Sequence, residues 1–344
     1  MNRFKLFIAV VLCGLMAGCA TTADPQADTR ADFLKIIDRP RVALAPQVEP
    51  MAGTNGLAEF YFSFATEAGE RVPGILMKPA NSPGRRPVVI VLHGTGGNKT
   101  NELGLCRRFA AAGFIAVAID GRYHGERKSS AGQEDYHAAI IRTWHGSGGH
   151  PFYYDTVWDV MRLVDYLQTR DDVAAQRIGL MGFSKGGIET YLAAAADPRI
   201  AVAVPCIGME SFRWALEHDD WQGRIGTIQP AFDFIAKENG VTNADSAFVQ
   251  KFYDRVVPGI YSEFDGPQMI ALIAPRPLLL INGDSDIHTP LPGVQACIAA
   301  AEKIYATDNA TNHFAVIIQK NTGHEVKPES ERSAIDWFVK WLKP

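Results

Sequence analysis

The chain has 344 residues, of which 47% are hydrophobic and 21% charged. That is apolar material for a large core, and the composition excludes global disorder. A net charge of -4 with no basic block excludes nucleic acid as an expected partner.

In chain order, MNRFK is a short positive segment and LFIAVVLCGLMA an apolar run too short to span a bilayer comfortably. Together they predict a signal peptide over residues 1–18. The run ends in Met16-Ala17-Gly18-Cys19, which resembles the lipobox of bacterial lipoproteins, with Met16 where Leu is usual. The resemblance implies a lipidated Cys19 as mature N-terminus and a membrane anchor. With Ala20 next, it favours an outer-membrane lipoprotein facing the periplasm. The plainer alternative is a cleaved signal and a soluble periplasmic protein. Residues 19–55, rich in Pro, Ala, Asp and Thr around DFLKIID, are expected to be a tether. Cys106, Cys206 and Cys297 each sit in an apolar segment and are expected as buried free thiols.

From residue 56 the pattern becomes regular. LAEFYFSFAT and RVPGILMKP read as an antiparallel hairpin, and PVVIVLHG as a strand buried on both faces. Helical and strand patterns then alternate: NELGLCRRFAAAG, FIAVAID, DTVWDVMRLVDYLQTR, RIGLMGF, KGGIETYLAAAA, IAVAVPCIG. After a gap come LLLING, LPGVQACIAAAEKIYA, HFAVIIQ and ESERSAIDWFVKWL. This alternation predicts an α/β domain over 56–344, a mostly parallel eight-stranded sheet covered by helices on both faces. The gap, residues 208–270, holds ten aromatics from Phe212 to Phe264. A connection of that length is functional or a subdomain, and it is read as a helical cap insertion whose aromatics mostly form its own core.

The chemistry converges on Gly182-Phe183-Ser184-Lys185-Gly186. Between a buried strand and a small-residue helix, this is a nucleophile elbow. The turn is tight enough to need glycines on either side of a serine held at the carboxyl end of the sheet. A serine nucleophile needs a base and an acid to orient it. INGDSDIHTP offers Asp284 and Asp286 after one strand, and QKNTGHEV offers His324 after the last. Asp286 is chosen as the acid, with Asp284 shaping the loop. The oxyanion would be held by backbone N–H groups of Lys185 and of the HGTGG loop, Thr95 first and Gly96 in reserve.

These residues, with DVMRLVDYLQTRDDVAAQRIGLMGFSKGG, AIDGRYHGER and LHGTGG, resemble the α/β-hydrolase superfamily. Within it they look like the dienelactone hydrolase, acetylxylan esterase and prolyl oligopeptidase-like group. The resemblance implies an α/β-hydrolase fold and a serine hydrolase with Ser184, Asp286 and His324 as triad and no metal or organic cofactor. It implies a small-molecule or carbohydrate ester as substrate. Two features depart from the pattern: Lys185 after the nucleophile, and two aspartates in the acid loop. A serine in place of cysteine argues against a true dienelactone hydrolase. A serine peptidase acting on short peptides is the second reading, and a non-catalytic envelope binding protein on the same scaffold the third.

Other candidates are weighed against plainer roles. His145 and His150 lack a third metal ligand in the sequence nearby. His93 and His124 are read as structural, His288 as a loop histidine and Glu210 as a cap-entry residue that could serve as an alternative acid. Arg122 and Tyr123 could touch substrate, Trp144 could stack on it, and the Lys185 side chain could attract an acidic group or pair with a carboxylate.

Overall fold

The computed structural model describes residues 25–81, 83–147, 149, 150 and 152–343. The expected signal peptide and Cys19 lie outside them. The described part of the segment expected as a tether, from residue 25, instead packs on the domain: α1 (Pro25–Ile37) buries Phe33 and Ile37 completely. Phe33 lies edge-on to Tyr154 at 5.1 Å and against Phe264 at the same distance. Arg30 donates to the carbonyls of Ala195 and Leu272, each at 2.8 Å. Burying two such side chains is worth about 1.5–3 kcal/mol each, which ties this end of the segment down.

Among the described residues the sheet has nine strands rather than eight, because β1 (Gln47–Pro50) adds an edge strand within the segment expected as a tether. It pairs antiparallel with β2 (Leu57–Glu67), which pairs antiparallel with β3 (Glu70–Pro79). The spatial order is β1-β2-β3-β5-β4-β6-β7-β8-β9. From β4 (Arg86–Leu92) and β5 (Ile115–Ile119) through β6 (Val173–Phe183), β7 (Ile200–Cys206), β8 (Leu278–Gly283) and β9 (Phe314–Gln319) every pairing is parallel. Val88–Val91 are wholly buried because helices cover both faces of β4, so its apolar run is continuous rather than alternating.

On one face, α2 (Leu103–Ala111) and α12 (Pro328–Leu342) pack Phe109 edge-on to Phe338 at 5.4 Å. On the other lie α1, α3 (Glu134–Trp144), α4 (Tyr154–Gln168), α5 (Lys185–Ala196) and α11 (Leu291–Thr307). The long connection after β7 is helical: α6 (Phe212–Glu217), α7 (Gln222–Ile225), α8 (Gln229–Glu238), α9 (Ser246–Val256) and α10 (Gly266–Ala271). Phe212, Phe232, Phe248, Phe252, Tyr253 and Phe264 are buried within it, while Phe234 is exposed. Asp265 joins its two ends, accepting from Ser211 Oγ at 2.6 Å and Phe212 N at 2.7 Å while capping α10. Cys106, Cys206 and Cys297 are free and buried.

Candidate active site

β6 delivers the chain into α5 through Ser184, whose φ of +54° is a left-handed value that a non-glycine residue adopts only when its surroundings hold it there. The surroundings are glycines under close approach. A Cβ on Gly182 would stand 2.3 Å from the Gly186 carbonyl oxygen, and one on Gly186 2.5 Å from that of Leu92. The Ser184 N–H donates to Cys206 O at 2.9 Å, anchoring the turn to β7. The serine hydroxyl is thereby fixed at the N-terminus of α5, where helix N–H groups lack intrahelical acceptors.

The expected partners converge on it. Ser184 Oγ lies 2.7 Å from His324 Nε2, and His324 Nδ1 lies 2.7 Å from Asp286 Oδ2. A carboxylate only accepts, so Nδ1 carries the proton and Nε2 is free to accept from the serine. Asp286 is 3% exposed. Burial works to raise its pKa, but the hydrogen bond and charge of His324, with the Thr289 hydroxyl and the His288 N–H, outweigh it and hold the carboxyl below its ordinary value. The acid loop is closed by Thr289 Oγ1 donating to Asn282 Oδ1 at 3.0 Å.

Asp284 does what the sequence suggested, shaping the loop. It accepts from Ser285 Oγ at 2.9 Å and Thr322 N at 3.2 Å, stitching the acid loop to the histidine loop. The HGTGG loop runs beside the nucleophile: a Cβ on Gly94 would be 3.4 Å from Ser184 Cβ. Gly97 N donates to Gly94 O at 3.1 Å, closing a turn with Thr95 half-buried and Gly96 at φ +76°.

The remaining candidates divide sharply. The Lys185 side chain turns inward. It is 2% exposed, paired with Glu189 one turn along α5, and lies 5.9 Å from the Tyr136 ring centroid. Arg122 is likewise buried, donating to Asp159 at 3.0 Å and also pairing with Glu67. His93 donates from Nδ1 to Gly94 O at 2.7 Å and accepts the Gly121 N–H on Nε2 at 3.0 Å, pinning one loop to the other. Burial first, then the charge of Lys185, lowers its pKa to about 4, so the ring stays neutral. His124 bonds Arg122 O. Trp144 is buried, stacked on Phe252 at 6.4 Å and covered by Arg255. Tyr123 is half-buried, with the Arg142 guanidinium 5.7 Å from its ring centroid. His145 and His150 bond Glu238 and Val256 O. Among the described residues no group of three or more His, Cys, Asp or Glu is placed to hold a metal ion.

Glu210 does not bond His324. It is 1% exposed and pairs with Arg224 Nε at 2.7 Å, with burial outweighing the arginine to push its pKa up to about 7. Two further residues lie near the triad: His288, which the sequence places in the acid loop, and Arg224. His288 lies 4.5 Å ring to ring from His324 and donates from Nδ1 to Gly223 O at 2.5 Å. Arg224, the next residue after that glycine, sits in a cap segment whose sequence gave no functional signal.

A mostly parallel sheet with a serine on a strand–helix elbow, an acid after the next-but-one strand and a histidine after the last defines an α/β-hydrolase. The dienelactone hydrolase family model matches residues 72–263, which takes in the elbow and most of the cap. The chain belongs to that family. It is 25% identical over 286 residues to YtaP of Bacillus subtilis (strain 168), named as a hydrolase, covering 79% of this chain and 84% of that protein. It is 26% identical over 189 residues to the 4-O-methyl-glucuronoyl methylesterase of Neurospora crassa, covering 54% of this chain and 46% of the fungal one. Acetyl xylan esterase 1 from Thermoanaerobacterium sp. JW/SL YS485 superposes with a TM-score of 0.66 at 18% identity, over 93% of this chain and 94% of that one.

Proposed function

We propose that the protein is a carboxylic ester hydrolase working through an acyl-enzyme on Ser184. The observation that carries this is the hydrogen-bonded run Asp286–His324–Ser184, with 2.7 Å at both links. Ser184 Oγ attacks the ester carbonyl carbon while its proton passes to His324 Nε2, and Asp286 stabilises the imidazolium. The oxyanion accepts from the backbone N–H groups of Lys185 and Thr95. Collapse expels the alcohol, which takes the proton from His324. Water, deprotonated by His324, then attacks the acyl carbonyl, and the acid leaves with Ser184 restored. Relatives named for glucuronoyl and acetyl xylan esters support a carbohydrate ester as the substrate class. The signal-like N-terminus and Cys19 support a lipid-anchored enzyme of the bacterial envelope.

The test is fluorophosphonate labelling and turnover on p-nitrophenyl esters against aminoacyl nitroanilides. Labelling lost in Ser184→Ala, with turnover of the esters, is expected. Turnover of the nitroanilides alone would make it a peptidase, and folded protein that takes no label would make it a binding protein. For the anchor, Cys19→Ser should move the protein out of the membrane fraction; unchanged partitioning sinks the lipidation.

A further inference from the structure

Arg224 has no part in the chemistry above, yet it is placed against it. The residue is 3% exposed. Its Nε donates to Glu210, while its Nη2 is buried with no hydrogen-bond acceptor among the described residues. A buried N–H left unpaired is costly, and native proteins seldom keep one without a use.

The chain segments that carry Arg224 and its partner Glu210 each touch a triad element. On one side Gly223, the preceding residue, accepts the His288 hydrogen bond, and a Cβ on it would strike Ile287 O, so α7 is seated on the acid loop beside Asp286. On the other side Glu210 follows Gly208, where a Cβ would lie 2.4 Å from Ser184 O. The Phe212 ring centroid is 5.7 Å from the guanidinium carbon, and Tyr153 and Tyr253, both buried, lie within its field. Arg224 therefore stands in a water-poor wall between the nucleophile turn and the acid loop.

We infer that Arg224 is the specificity residue of this ester site, its free Nη2 donating to an uncharged oxygen of the substrate, such as a hydroxyl or ether oxygen of a sugar. This rests on the esterase reading. Arg224 is already paired with Glu210, and Asp286 adds a second carboxylate nearby, so an anionic group meets repulsion there as well as attraction. A neutral acceptor fills the vacant donor without that penalty. In such a wall the bond is made against little competing water, so it discriminates strongly between an ester that carries the oxygen and one that does not.

A matched pair of acetates tests this: acetylated methyl β-xyloside, and cyclohexyl acetate, whose alcohol is a ring without oxygens. Wild-type enzyme should favour the xyloside. Arg224→Lys keeps a cation for Glu210 but loses the planar fork that holds a second donor nitrogen at the Nη2 position, and should reduce that preference in kcat/KM about tenfold or more, mainly through KM. The double variant Glu210→Gln/Arg224→Met, which buries no lone charge, should do the same. A wild-type enzyme with no preference overturns the assignment whether or not either variant folds. So does an unchanged preference in a folded variant, or faster hydrolysis of the anionic ester acetyl glycolate than of either acetate. In all three cases Ser184 would still label and turn over ester. Loss of labelling and of all ester turnover would instead overturn the esterase reading, and this inference with it.

Discussion

Asp286→Asn separates the two aspartates of the acid loop most directly. Asp286 Oδ1 accepts the His288 N–H at 2.9 Å. In the asparagine variant the amide oxygen stays on that donor, which places the amide NH2 where Oδ2 was, 2.7 Å from His324 Nδ1. An NH2 group there can only donate. Nδ1 must then accept, the ring proton moves to Nε2, and Nε2 can no longer take the proton of Ser184. A triad locked in the wrong tautomer loses about 10⁴-fold in kcat, which is about 5.4 kcal/mol of transition-state stabilisation at 1.36 kcal/mol per decade. Asp284→Asn keeps an oxygen acceptor for Ser285 and Thr322 at a half-buried site that does not bond His324, and should change kcat by less than about threefold. The assay is kcat on p-nitrophenyl acetate, with circular dichroism to show that both variants fold. A loss of less than tenfold in Asp286→Asn, or a larger loss in Asp284→Asn, would refute the tautomer argument. If Asp286→Asn stays active and adding Glu210→Gln abolishes that activity, Glu210 is the acid.

Lys185→Met should lower stability by about 3–5 kcal/mol by leaving Glu189 buried without its cation, with Lys185→Met/Glu189→Leu recovering most of it. Thermal unfolding of both variants checks this, and equal losses would show that the pair does not act as one. Glu102 is buried at the start of α2, and burial followed by the charge of Glu331 pushes its pKa up to about 7. A raised carboxylate supports the fold below pH 4.5 and withdraws that support as pH rises through 7, so Glu102→Gln should gain up to about 3 kcal/mol over wild type at pH 8 relative to pH 4.5. A pH-independent difference in denaturant midpoints would contradict that. Gly186→Ala should fail to yield folded, labelled enzyme because its Cβ meets backbone at 2.5 Å, whereas Gly104→Ala, with nothing within 4 Å, should gain about 0.5–1 kcal/mol in α2. Comparable soluble yields and melting temperatures would refute the contrast.

What the sequence disclosed, it disclosed where a short-range rule was sufficient. The elbow is legible because Gly182 and Gly186 lie within two residues of the serine they make room for, and Asp286 and His324 because each follows a buried strand whose end fixes its place. α1 escaped because its fate depends on distant partners. Phe33 is anchored against Tyr154 and Phe264, more than a hundred residues on, so a short amphipathic run in a Pro- and Ala-rich stretch reads as tether. The side chains after strands divided on the same principle. Arg122 follows β5 as an active-site residue would, but Asp159 on α4 draws it under the surface. Lys185 was the closer case, since Glu189 stands four residues along the same helix, a spacing that puts two side chains side by side. On an exposed helix that pair would be worth a few tenths of a kcal/mol and would leave the lysine free to meet substrate. On α5, buried along its whole length, an unpaired Lys185 or Glu189 would be costly, so burial commits each to the other. The lysine's side chain is thereby turned into the core, paired with Glu189. Arg224, on the cap segment seated on the acid loop, keeps a buried donor with no acceptor among the described residues, and no local pattern marked it.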